Sequence, residues 1–284
     1  MKADCHIHML LDGKHWKTAI DAHRNGPDIS LIRSRLQRYA EKGFTYLRDG
    51  GDRWGVGAAA RELAGEYGIR YRTPLANLCA QGHYGGFIGE TYRNVREYAS
   101  LVRKNRKKGG DFIKIMISGI MDFDRFGKLS EEGLEPKLIR ELVHIAHEEG
   151  FAVMAHANGA RTVEAAAASG VDSVEHGAYL DTDALLAMKE NHVIWCPTYS
   201  AYANLRGTGR FREEEVEKIC KSAAENLRRY AAMDGIIAPG SDAGAWAVPH
   251  CDGGMDEYRH LESILGPNAH EILNRGICCV MAKF

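Results

Sequence analysis

Long hydrophobic runs are missing from this sequence. No stretch of its 284 residues approaches the ~18 consecutive apolar residues of a membrane span. Met1 and Lys2 lead straight into strand-like sequence, without the apolar region of a signal peptide. The expectation is a chain with no membrane partner. Net charge of one sign is equally scarce: 37 basic and 38 acidic side chains leave −1. That argues against the basic footprint of a nucleic-acid binder. The one basic run, RKNRKKGG at 103–110, reads as the solvated end of a helix. CxxC spacing is absent as well. The seven cysteines are odd in number and two of them, Cys278 and Cys279, are adjacent, so free thiols in a reducing cytoplasm are the simplest account. No internal repeat, low-complexity tract or linker interrupts the chain, which therefore reads as one domain over 1–284.

What is present is ordinary globular composition, 45% hydrophobic and 26% charged, with a strong order to it. Eight short apolar or β-branched runs recur: 3–10, 44–51, 69–78, 112–119, 151–159, 173–180, 193–201 and 236–244. Between them, apolar residues fall at helical spacing, as in Ile32, Leu36 and Tyr39, or Leu134, Leu138, Leu142, Ile145 and Ala146, or Val216, Ile219, Ala223 and Leu227. Gly43, Gly68, Gly150, Gly170 and Gly235 stand where helices should stop. Strand–helix alternation implies parallel strands with right-handed crossovers. Eight such units predict an α/β fold, a single closed (β/α)8 TIM barrel. An open doubly wound sheet is the structural alternative, but no GxGxxG follows the first strand.

Polar residues interrupt these strands at their carboxyl ends. The run ADCHIHML puts His6 and His8 on one face of a strand, because side chains alternate. Lys114 lies inside the apolar FIKIMIS, His156 in VMAHANG, His176 in SVEHG and Asp242 in PGSDAG. Each has a bland reading taken singly: a hydrogen-bonded core histidine, a snorkelling lysine, a turn-forming aspartate. In a barrel, however, strand ends converge on one mouth, so six groups spread over most of the chain can meet there.

This pattern resembles the amidohydrolase superfamily, and TYLRDGG, DFIKIMISG, AHANG, GVDSVEHGAYLD and GSDAG look most like its prolidase-like and imidazolonepropionase-like branch. The resemblance implies two divalent metal ions, most simply zinc. His6, His8 and Asp242 would bind the first, His156 and His176 the second, and an N-carboxylated Lys114 would bridge them. Imidazole and carboxylate ligands suit zinc. It further implies a metal-dependent hydrolase of C–N amide-type bonds in a dipeptide, N-acyl amino acid or cyclic amide. A metal-bridged hydroxide would attack the carbonyl, with Asp242 passing the proton to the leaving amine. A linear amide with a carboxylate on the leaving side is favoured.

His83, in CAQGHYGG, would be a second catalytic group, donating to the carbonyl oxygen. Tyr179, Tyr199 and Tyr202 would join it in binding substrate, their hydroxyls offered to a carboxylate. Arg48 and Asp49 read as a structural ion pair inside the barrel. The small β-sandwich usual in that branch is expected to be missing, since the first strand opens at residue 3; the surface so exposed suggests a homo-oligomer. Carbamate, urea or lactone hydrolysis on the same centre is an alternative. A mononuclear deaminase fits less well, since residues 156–159 read HANG rather than HxxE. A catalytically silent metal-binding barrel is the remaining alternative.

Overall fold

A computed structural model describes residues 1–284. Its strands are β1 (Lys2–Ile7), β2 (Phe44–Asp49), β3 (Arg70–Arg72), β4 (Asn77–Ala80), β5 (Glu90–Tyr92), β6 (Ile113–Met116), β7 (Val153–Ala157), β8 (Ser173–His176), β9 (Ile194–Cys196) and β10 (Ile236–Ile237). All pairings are parallel, in the orders β1-β2-β3 and β10-β9-β8-β7-β6-β4-β5. Helices fill the connections, as parallel crossovers require.

Two junctions close these ladders into a barrel. The segment after β10 bonds to β1 and its extension: Cys5 N–H donates to the Pro239 carbonyl at 2.8 Å, Asp242 N–H to that of His6 at 2.8 Å, and His8 N–H to that of Ala243 at 2.7 Å. At the other junction β3 and β4 form one bent stave, β3 paired with β2 and β4 with β6. Counting that stave once leaves eight around the barrel, with β5 an outer edge strand on β4. The fold is thus the expected TIM barrel.

The third run, 69–78, is therefore two short strands rather than one. Pro74 has no N–H to give a ladder, and Leu75 sits in the left-handed region at φ 62. The strand breaks between them and its two halves serve different neighbours.

The helical spacings hold. Ile32, Leu36 and Tyr39 are buried on the helix Ile29–Glu41, and Val216, Ile219, Ala223 and Leu227 on Glu213–Ala232. The helix Pro136–Glu148 starts after Leu134 and turns slightly, burying Ile139, Leu142, Val143 and Ala146. Gly43, Gly68, Gly150 and Gly170 take positive φ after their helices, whereas at the fifth stop Asp234 takes it at φ 60. Gly235 is needed for another reason: a Cβ there would strike the Tyr230 ring at 2.4 Å.

The last helix, Ala269–Lys283, lies against β10 at Gly276, where a Cβ would come within 1.9 Å of the Ile237 carbonyl oxygen. Backbone cannot yield there as a flexible side chain would. Gly276→Ala is expected to destabilise the protein by about 3 kcal/mol, lowering the thermal midpoint by roughly 5–10 °C for a chain of this size. Differential scanning calorimetry reads this directly; an unchanged midpoint would contradict the packing. No helix is long and apolar enough to cross a membrane, and the 103–110 run is the exposed end of the helix Val95–Lys107, as expected.

Candidate metal centre

Six side chains gather at the carboxyl ends of the staves. His6 projects from β1 and His8 lies one residue past its end; Lys114 is in β6, His156 in β7, His176 at the end of β8, and Asp242 follows β10. The His6 and His8 rings are 5.3 Å apart, His6 and His176 5.0 Å, and His156 and His176 4.6 Å. Asp242 Oδ1 stands 3.5 Å from His6 Nε2 and 3.4 Å from His8 Nε2. Five of the six expected residues thus lie within a few ångströms of a neighbour in the group, and Lys114 lines the same cavity as His8, His156, His176 and Asp242.

Backbone geometry aims the last two. Consecutive residues of a strand point to opposite faces, and Glu175 already points into the barrel. His176 joins it at the mouth because its φ is 68, a left-handed turn that ends the strand. Asp242 does the same at φ 61. Such conformations cost of order 1–3 kcal/mol in non-glycine residues, so the surrounding structure must hold them. Asp4 does part of this work by accepting the backbone N–H (2.9 Å) and hydroxyl (2.6 Å) of Ser241.

Hydrogen bonds on the far side of three rings set which nitrogen faces inward. His6 Nδ1 bonds Glu175 Oε2 at 2.6 Å, His176 Nδ1 bonds Thr198 Oγ1 at 2.7 Å, and His156 Nε2 bonds the Gly119 carbonyl at 3.2 Å. Their other nitrogens are left for a ligand, the arrangement that orients metal-binding imidazoles. Burial, and after it Lys114 or a neighbouring histidine, pushes all four imidazoles down, His8 and His156 to about 3. They are uncharged at neutral pH, with lone pairs available. Burial likewise lowers Lys114 to about 8 and raises Asp242 to about 7.

These residues fit a divalent metal pair. His6 Nε2 and Lys114 Nζ are buried without any hydrogen-bond partner, a costly state that a cation, with a modified lysine, relieves. The donors are nitrogen and carboxylate oxygen, the set that suits zinc and its neighbours.

Beneath the metal centre lies a network the sequence reading missed. Arg48 (β2) donates to both oxygens of Glu175 (β8) at 2.9 and 3.1 Å, and to the Cys5 carbonyl at 2.7 Å. Ser173 donates to Glu175 Oε1 at 2.5 Å. Arg48 and Glu175 are wholly buried. Arg48 thus pairs across the barrel with Glu175, correcting the expected pairing with Asp49, which instead accepts from Met9 N–H, Gly51 N–H and the Thr73 hydroxyl. Glu175, a second ionisable residue beside His176 in the buried strand SVEHG, was the available signal.

Above the centre opens a cavity of ≈ 410 Å³ lined by His8, Lys114, His156, His176 and Asp242 and walled by apolar and aromatic side chains. The residues expected to bind substrate are not in it. His83 is exposed and turns to Glu131 (3.3 Å), while its neighbour Tyr84 enters the cavity with its ring 4.9 Å from that of His156. Adjacent residues of one turn point opposite ways, and only the loop conformation decides which goes in. Tyr199 and Tyr202 are buried, their hydroxyls given to the carbonyls of Cys220 and Pro197, each at 3.1 Å. Tyr179 packs edge-on against Phe126 at 5.2 Å. None of the three lines the cavity.

Residues 30–248 match the amidohydrolase family. The chain belongs to the amidohydrolase family. It is accordingly a hydrolase acting on carbon–nitrogen bonds. No curated protein matches its sequence. Among solved structures, a Xaa-Pro dipeptidase with bound methionine in the active site superposes with TM-score 0.78 at 20% identity, over 99% of this chain and 75% of that one. A prolidase complexed with N-methylphosphonate-L-proline gives 0.76 at 24% identity, over 99% and 74%. Ochratoxinase of A. niger gives 0.76 at 20%, over 95% and 68%. At these identities the likeness carries the fold. The family match begins after His6 and His8, so the barrel geometry, rather than the match, joins those two residues to the rest of this amidohydrolase's centre.

Proposed function

We propose that this amidohydrolase cleaves a linear amide, an N-acyl amino acid or dipeptide, using two divalent cations, most simply zinc. His6, His8 and Asp242 would hold one, His156 and His176 the other, and Lys114 as its N-carboxylate would join them. The observation that carries this reading is the Lys114 amine: buried, unpartnered and lowered by burial to about 8 among four uncharged imidazoles and Asp242. An uncharged amine adds CO2 and loses one proton, giving an anionic carbamate with two oxygens to share. When bound, the cations supply an acidified water and an electrophile for the substrate carbonyl.

The chain's own residues do the rest. Asp242 stands between His6 and His8, with Oδ1 3.5 and 3.4 Å from their Nε2 atoms, and its carboxylate is placed to take a proton from water. It returns that proton to the leaving nitrogen as the C–N bond breaks, so water adds across the amide to give acid and amine. Glu175, through His6 Nδ1, keeps the His6 Nε2 lone pair inward. The apolar part of the cavity wall lowers the local polarity around the reacting groups. Free cysteines, five of the seven buried, agree with a reducing cytoplasm.

Elemental analysis of the purified protein is expected to find two divalent ions per chain. A strong chelator should remove both ions and the hydrolysis of N-acyl amino acids and dipeptides, and zinc with bicarbonate should restore both. An ion-free protein, or turnover indifferent to chelation, would overturn the metal assignment. Two bound ions with no turnover of any acyl amino acid, dipeptide or cyclic amide would favour a silent metal-binding barrel.

A further inference from the structure

The cavity over the metal centre has a one-sided charge. Apart from the centre's own residues, its only charged lining side chains are Lys14 and Arg210, both cationic. No acidic side chain other than Asp242 reaches it. Arg210 lies in the segment between the helices Ser200–Ala203 and Glu213–Ala232. Its guanidinium sits 4.3 Å from the centre of the Trp246 ring and 5.4 Å from that of Phe211. It forms no ion pair and no side-chain hydrogen bond, unlike its neighbour Arg206, which bonds Glu217 at 2.8 Å.

Trp246 is firmly held. It is four residues past Asp242, and its loop is tied by Ala247 N–H to the Gly13 carbonyl (2.9 Å), Gly244 N–H to the Val248 carbonyl (2.8 Å) and the Asn204 amide to the Ala247 carbonyl (3.1 Å). A guanidinium over an aromatic ring, with no ion pair or side-chain hydrogen bond of its own, has N–H donors free for a carboxylate, which arginine can hold in bidentate fashion. Lys14 adds a second positive charge to the lining of the same cavity. The remaining wall is apolar: Leu11, Trp16, Phe87, Met116 and Ile120.

We propose that Arg210, braced on Trp246, receives the free carboxylate of the substrate, so that this enzyme selects acylated or dipeptide amides whose leaving amino acid is apolar and uncapped. The inference rests on the hydrolytic reading above and narrows it. Capped amides lose the charge-assisted pair, and leaving groups with cationic side chains meet Lys14 and Arg210, of which the carboxylate neutralises only one. The role that the tyrosines do not fill falls to a residue on a different loop.

The test compares N-acetyl-L-leucine with N-acetyl-L-leucinamide, and each with N-acetyl-L-lysine, on the protein as purified with its metals. Wild type should favour the leucine carboxylate over its amide by on the order of 10- to 100-fold in kcat/KM, and over the lysine substrate as well. Arg210→Met should lose that factor on the carboxylate through KM, with kcat little altered, and lose under about threefold on the amide. Arg210→Lys should recover part of it. Tryptophan fluorescence titrated with N-acetyl-L-leucine reads the same contact without turnover. Equal turnover of acid and amide, or an Arg210→Met enzyme with wild-type KM and binding, overturns the Arg210 assignment alone. If no substrate is turned over while fluorescence still separates wild type from Arg210→Met, the carboxylate site stands and the hydrolytic reading fails.

Discussion

Asp242→Asn is expected to lower kcat on an N-acyl amino acid by about 1,000-fold or more, the range for removing a positioned acid–base group. Asparagine keeps the size and the left-handed backbone tolerance that φ 61 demands, so the fold should survive. What it removes is a carboxylate that serves as ligand and as proton carrier. The two roles separate by measurement. If the ligand role dominates, elemental analysis shows fewer than two ions per chain and excess zinc restores part of the rate. If the proton role dominates, the ion content stays at two and the rate stays low whatever the metal supply. Activity within tenfold of wild type at full metal content would remove Asp242 from the mechanism.

Glu175→Gln is the second large effect, and it acts from beneath the metal centre. Glu175 and Arg48 are both wholly buried, and Glu175 also bonds His6 and Ser173. Removing one charge of a buried pair leaves the other uncompensated, at a cost of about 3–5 kcal/mol. The thermal midpoint of the metal-free protein should drop by roughly 6–15 °C. Loss of the carboxylate behind His6 should also weaken metal binding by about 10- to 100-fold. A double variant distinguishes positioning from general damage. Arg48→Met with Glu175→Gln removes the orphaned guanidinium and should recover much of the stability, while the metal affinity stays low. If stability and affinity recover together, Glu175 serves only to neutralise Arg48.

The convergence of the six polar residues was legible from strand periodicity and barrel geometry, whereas their reading as metal ligands came from the family resemblance. His6 and His8 share a face because alternation has a period of two, and Lys114, His156, His176 and Asp242 each lie in or after a strand whose apolar run is plain in the sequence. A closed barrel then brings all those ends to one rim. The helical faces were readable for the same reason, through their own period. The broken third stave was readable in principle, since TPLA carries its proline openly.

The rim itself obeyed no such rule. That Tyr84 enters the cavity while His83 turns to Glu131 depends on one loop's dihedral angles, and the hydroxyls of Tyr199 and Tyr202 were claimed by carbonyls that only folding brought near. Arg48 chose Glu175, 127 residues away, over the adjacent Asp49, because both point into the barrel from staves that are not ladder neighbours. Arg210 and Trp246 meet from two loops with no periodic signal at all. Repeating backbone geometry writes its pattern into the order of residues, so the barrel and the gathering of polar side chains at its mouth could be read in advance. Contacts between loops and across the interior depend on how distant segments pack, so the buried network beneath the candidate centre and the cavity wall above it emerged only once the chain was folded.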